Sequence, residues 1–186
     1  MEADWEFEVG GDGPVIEACW AGFVDLRRMP ERACDLPESA LLPGLAMVLQ
    51  RLNSEASPFW TSKCDFWPML EAGEFDPDEL DAPPGCAAHA MSCYIDLLPK
   101  QEGAWAFPAR AEAECRRLCT LLGAVPLRRC RADLIIRRAV VVPGSMEMGI
   151  TAYITACGPG ADEARETLEA ALAAFAHALC PESTLQ

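Results

Sequence analysis

An α+β fold, with a mainly antiparallel sheet and three helices on one face, is what the sequence predicts, and three observations predict it. Residues 149–157 alternate, with Ile150, Ala152, Ile154 and Ala156 on one side and Thr151, Tyr153, Thr155 and Cys157 on the other, as in a half-buried strand. Gly158-Pro159-Gly160 breaks that run, and apolar spacing then turns helical. The same strand–strand–helix grammar recurs twice upstream, and helices packed against an antiparallel sheet bury the apolar face of each.

The elements follow in order. Trp5-Glu6-Phe7-Glu8-Val9 alternates and stops at Gly10-Gly11-Asp12-Gly13, a turn signal. In a second alternating run, Ile16, Ala18, Trp20, Gly22, Val24 and Leu26 oppose Glu17, Cys19, Phe23 and Asp25, so the two runs read as a hairpin closed near Pro30. Leu41, Leu45, Val48 and Leu52 fall at helical spacing. Pro37 suits the first turn of that helix, whereas Pro43-Gly44 implies a kink or a start after Pro43.

Phe59 to Trp67 is again two-residue in pattern, with Trp60, Ser62, Cys64 and Phe66 assigned inward and Thr61, Lys63 and Asp65 outward. Residues 68–88 hold four prolines, two glycines and six acids, which predicts a long, exposed, acidic connection. A strand is expected over 91–98. A helix over 108–122 carries Ala111, Cys115, Leu118 and Leu122 on one stripe and stops at Gly123. A strand over 130–137 turns at Pro143-Gly144-Ser145 into the strand over 147–157. The final helix places Ala164, Leu168, Leu172, Phe175 and Leu179 inward.

Without its first strand the order is β-α-β-β-α-β plus a C-terminal strand and helix, which contains the ferredoxin-like order with an extra N-terminal strand. Three ββα units side by side are the alternative packing. At 186 residues and 51% hydrophobic, the chain fits a single domain over 1–186 with a sizeable core.

A formal charge of -14 opposes nucleic acid and anionic membrane surfaces and favours a basic protein or a cation, although solubility alone also accounts for it. The acidic start Met1-Glu2-Ala3-Asp4-Trp5-Glu6 is not a signal peptide, and no run of about 18 apolar residues occurs. A cytoplasmic setting is therefore expected, in which the ten cysteines stay reduced and act as small buried hydrophobes.

Few constellations carry chemistry. Cys86-x-x-His89-x-x-x-Cys93 with Cys64 has the ligand types for zinc but no recognised spacing, and Cys64 and Cys93 take inward parity, so no metal and no cofactor is expected. Cys115 and Cys119 lie a turn apart with no histidine near them in sequence. Of the two histidines, His177 falls on the solvent side of its helix, leaving His89 as the better catalytic candidate, without a catalytic-cysteine or Gly-x-Ser-x-Gly signature. Gly158-Pro159-Gly160 lacks the residues of a phosphate cradle, and Asp162 and Glu163 would repel an anion there. Asp76-Pro77-Asp78-Glu79-Leu80-Asp81 departs from the EF-hand template at Pro77 and at the missing glycine.

The outward strand positions remain. Glu17, Lys63, Asp65, Tyr94, Asp96, Arg131, Asp133, Arg137, Tyr153 and Thr155 are read on the helix-free side of the sheet, among Phe23, Phe59, Trp67 and Ile135. Aromatics mixed with charges of both signs suit a contact surface, while a wet face of cross-strand ion pairs explains the same residues. The expectation is a non-catalytic interaction module that pairs through this face with a second copy of itself, or with another protein, a basic one being favoured by charge. The candidate binding residues are Lys63, Asp65, Tyr94, Asp96, Arg131, Asp133, Arg137 and Tyr153. The alternative is a small enzyme or small-molecule binder using Asp65, Asp96, Arg131 and Tyr153, with its pocket on that face or beside the 68–88 connection. A flat face favours the first, and a concavity where carboxylates and Arg131 converge favours the second.

Overall fold

A computed structural model describes residues 1–10, 13–20, 22–69, 75–142 and 145–181. The chain runs β1 (Glu2–Glu8), β2 (Val15–Glu17), a 3-10 turn at Pro30–Asp35, α1 (Pro37–Leu41), α2 (Pro43–Asn53), β3 (Phe59–Met69), β4 (His89–Pro99), α3 (Pro108–Gly123), β5 (Cys130–Val140), β6 (Glu147–Gly158) and α4 (Ala161–Leu179). The six strands form one open mixed sheet in the order β1-β5-β6-β4-β3, with β2 also on β5. The pairs β3/β4, β4/β6 and β5/β6 are antiparallel; β1 and β2 both run parallel to β5.

Alternation reports which side chains are buried and not the direction of the neighbour, and the first hairpin is where this matters. β1 and β2 do not pair with each other. Glu8 lies opposite Arg137 and Val15 opposite Arg138, so the two segments continue one behind the other along β5. They form one interrupted edge strand, and the strand expected to reach Leu26 ends at Glu17. The Gly11-Asp12 turn and the Pro143-Gly144 turn lie outside the described residues, as does the 70–74 part of the acidic connection.

The ferredoxin-like order is corrected by the same pairing. That order sets the strand before α2 beside β4, but β4 lies between β3 and β6, while β2 reaches only β5. β6, the strand treated as an addition, therefore fills the central place. Its burial on both faces suits that place: Ile150, Ala152, Ile154 and Ala156 are fully buried on one face, and Thr151 and Cys157, expected outward on a half-buried strand, are fully buried on the other.

A third correction lies in β3. The register shifts between Thr61 and Cys64, a bulge that reverses side-chain parity along the strand. Cys64 and Phe66 pack on the main core as expected, but Trp60 belongs to a separate cluster and Thr61 bonds with Asn53 of α2. Phe59, expected outward, is 6% exposed in the main core beside Trp105.

That core joins Ile95, Leu134, Ile136 and Ile154 to Leu45 and Leu49 of α2, Leu118 and Leu122 of α3, and Leu168 and Phe175 of α4. Each such side chain contributes about 1.5–3 kcal/mol by leaving water. Leu42, the residue before Pro43, is extended (φ -131°, ψ 82°) and separates α1 from α2, because proline bars its predecessor from the helical region. At the β6–α4 junction the chains approach so closely that a Cβ on Gly158 would sit 2.6 Å from the Ala164 nitrogen.

The opposite face of the sheet is partly roofed by its own chain. Ile16 of β2, with Ala18 and Phe23 after it, packs on Trp60, Leu98 and Ala139. The Phe23 and Trp60 rings meet edge-on at 6.2 Å, and the Arg27 guanidinium lies 4.0 Å over Trp60. Gly149 permits this roof, since a Cβ there would lie 2.7 Å from Ile16 Cδ1. Among the described residues no helix is long and apolar enough to cross a membrane.

Candidate functional site

Strand register gathers most of the expected residues on the part of this face that the roof leaves open. Tyr94 of β4 stands opposite Tyr153 of β6 and Asp65 of β3, while Arg131 and Asp133 of β5 stand opposite Thr155 and Tyr153. β1, on the far side of β5, adds Asp4 and Glu6. Between them lies a trough of about 440 Å³, with Trp67, Tyr153 and Ile135 among its walls.

One wall is aromatic. Tyr94 and Tyr153 have ring centroids 5.9 Å apart, and Trp67 lies 6.3 Å from Tyr94 and 6.5 Å from Tyr153. Tilted and edge-on contacts of this kind fix the rings, of which Trp67 and Tyr153 line the trough and Tyr94 stands behind them. The Tyr94 hydroxyl is pushed up to about 12 by burial and by the nearby Asp96 and Asp65 carboxylates, so it stays protonated.

The other wall is acidic. Arg131 Nε donates to Asp133 Oδ1 at 2.6 Å, with Glu79 at 3.9 Å and Asp4 at 4.0 Å from the same guanidinium. Glu79 arrives from the acidic connection, which is held down where Leu80 packs with Ala90 and Cys157. Four carboxylates (Asp4, Glu6, Glu79 and Asp133) thus line the trough with one guanidinium. Asp133 shows the excess: burial, with Glu79 and Asp4, holds its pKa above the ordinary carboxylate value despite the hydrogen bond from Arg131.

Arg137 and Asp96 lie deeper, near the roof. Arg137 donates to Glu8 at 2.6 Å, to Thr151 Oγ1 at 3.1 Å and to the Tyr153 hydroxyl at 3.3 Å. Thr151 donates at 2.6 Å to Asp96, which is 5% exposed. Tyr153 joins the two groups, its hydroxyl on Arg137 and its ring in the trough. Lys63 stands apart at the β3 bulge, its ammonium 5.8 Å from the Trp20 ring, and Asp65 is exposed, accepting among the described residues its neighbour's amide alone.

Sequence reasoning missed Asp4, Glu6, Glu8, Glu79 and Thr151. The alternation of Glu2, Asp4, Glu6 and Glu8 was visible, but a strand assigned to a local hairpin offers no reason to place those acids beside Arg131 and Arg137. Among the described residues no group of three or more His, Cys, Asp or Glu side chains is arranged to hold a metal ion. Burial raises the Cys64 thiol to about 12 and pushes Cys93 up as well, and both thiols stay protonated near neutral pH. His89 is exposed at the start of β4, and His177 is exposed with Arg51 beside it at 3.5 Å. No family model, no curated protein and no solved structure matches the chain.

Proposed function

We propose that the protein is a non-catalytic binding module whose open sheet face receives a basic segment of another protein. The face is concave, the shape expected of a small-molecule site, but among the described residues the trough is lined by four carboxylates, one guanidinium and no histidine or cysteine, which suits a cationic side chain of a partner better than a substrate. The observation that carries this reading is the trough, where Trp67 and Tyr153, backed by Tyr94, share the lining with four carboxylates, three of them around the single guanidinium of Arg131. A lysine or arginine side chain meets both needs, since the carboxylates supply charge and the ring faces attract a cation. A formal charge of -14 steers such a partner toward the molecule. The ten free cysteines fit a reducing, cytoplasmic setting.

Pairing with a second copy is the other reading, supported by Trp67, Tyr94 and Tyr153, which are only partly buried. The concavity and the excess of one charge weigh against it, because a two-fold axis would bring acid to acid. Titration calorimetry with an arginine-rich peptide, and with an acidic peptide of equal length, tests the proposal. Saturable binding of the basic peptide alone is expected, weakened at least tenfold in Glu79→Gln/Asp133→Asn. Equal binding of both peptides, or none, would overturn it, and light scattering showing a dimer lost in Tyr94→Asp/Ile135→Asp would assign the face to a second copy.

A further inference from the structure

A second cavity, of about 350 Å³, lies between the β3 bulge, Trp20 and the segment over 22–38. Its volume falls within the range of small-molecule sites. Leu26 and Leu49, 4% and 1% exposed, form an apolar floor continued by Leu36.

The rim carries four charges, and two of them are already spent: Arg32 and Asp35 pair at 3.4 Å. Lys63 and Glu38 are half-buried, and among the described residues neither makes an ion pair. The Lys63 ammonium has the Trp20 ring at 5.8 Å for company, a weak contact at a site open to water. These two groups have opposite signs, and the charge of Lys63, which also reaches Asp96, is not held in an ion pair among the described residues. A simple anion on Lys63 would meet Glu38, and a simple amine on Glu38 would meet Lys63. A ligand carrying both charges on one short unit, with an apolar tail, satisfies both groups and the floor together.

We propose that this cavity binds a free apolar α-amino acid, with its carboxylate on Lys63, its ammonium on Glu38 and its side chain over Leu26, Leu36 and Leu49. The site shares no lining residue with the trough, so a basic peptide and the amino acid bind together.

Titration calorimetry and thermal melting of the full chain test this, with leucine and phenylalanine as probes. The controls are 4-methylpentanoate, which lacks the ammonium, and 3-methylbutylamine, which lacks the carboxylate. At least one amino acid should saturate the protein and raise its melting temperature, and each control should bind at least tenfold more weakly than leucine or not at all. Lys63→Met and Glu38→Gln should each cost tenfold or more in amino-acid affinity with unchanged circular dichroism, and Arg110→Gln, exposed on α3 and outside the cavity, should leave it intact. Failure of both amino acids to saturate, or undiminished affinity in Lys63→Met and Glu38→Gln, would overturn the proposal.

Discussion

Thr151 and Asp96 face each other across β6 and β4, and the threonine hydroxyl donates a 2.6 Å hydrogen bond to a carboxylate that is 5% exposed. Arg137 bonds the same hydroxyl from the third strand, β5. A buried acid is thereby tied to the solvent-facing Glu8 through two intermediates.

Burial raises the Asp96 pKa above its ordinary value, against the Thr151 hydrogen bond and the charges of Arg137 and Lys63. A raised folded value means the folded chain holds this proton more tightly than the unfolded chain. The stability it contributes is full below the ordinary carboxylate range and lost as pH rises through the raised value. Asp96→Asn keeps an acceptor for Thr151 without the charge. Its melting temperature relative to the parent should therefore improve from about pH 4 to about pH 7. A difference that stays flat across that window would refute the assignment.

Gly158→Ala should destabilise the fold by about 1–3 kcal/mol, the usual cost of overpacking. The clash is with backbone of the first turn of α4, which cannot rotate away. Gly123→Ala is the matched control, because a Cβ there meets nothing within 4 Å, and it should leave stability unchanged or raise it. Urea melts of the two variants decide the matter.

Ile154→Asp should abolish or nearly abolish folding, since an unpaired carboxylate in the main core costs several kcal/mol, much of a typical stability margin. Thr155, its outward neighbour, is half-buried with its hydroxyl 3.0 Å from Ser92, so Thr155→Asp should be far milder. Equal melting temperatures would contradict the face assignment of β6.

Trp60→Ala should cost about 3–5 kcal/mol and release the roof. The indole holds Phe23 and Arg27, and its Nε1 donates to the Pro99 carbonyl at 3.1 Å. Hydrogen exchange should accelerate at 16–28 more than in α4. Uniform acceleration would mean that the roof does not open separately.

Local burial patterns were legible in the sequence, and long-range partners were not. α3 and α4 came out with their inward stripes intact, because Ala111, Cys115, Leu118 and Leu122, like Leu168, Leu172 and Phe175, repeat at the helix period and are all fully buried. β6 was legible as a strand with Ile150, Ala152, Ile154 and Ala156 inward, but not as one buried on both faces, since Thr151 and Cys157 are fully buried as well. The bulge between Thr61 and Cys64 left no mark in the alternation of Trp60, Ser62, Cys64 and Phe66, since one irregular step exchanges faces without disturbing polarity. Five of the eight candidate binding residues, Tyr94, Arg131, Asp133, Arg137 and Tyr153, meet at the trough or directly behind it. The acids that give the trough its sign come from β1 and from the 75–88 segment, whose positions depend on pairings no local pattern encodes.

The interrupted edge strand has a consequence for the order in which the molecule is assembled. Glu2 pairs with Arg131 and Ile16 with Ala139, so β1 and β2 leave the ribosome well before β5 and wait for more than a hundred further residues before their partner exists. Pairings this distant in sequence slow folding, and an unpaired strand edge invites wrong neighbours in the meantime. Glu2, Asp4, Glu6 and Glu8 put a like charge on every second position of that waiting strand. Two nascent copies therefore repel along the edge that would otherwise join them, and Asp4 and Glu6, which later line the open sheet face, serve first as protection.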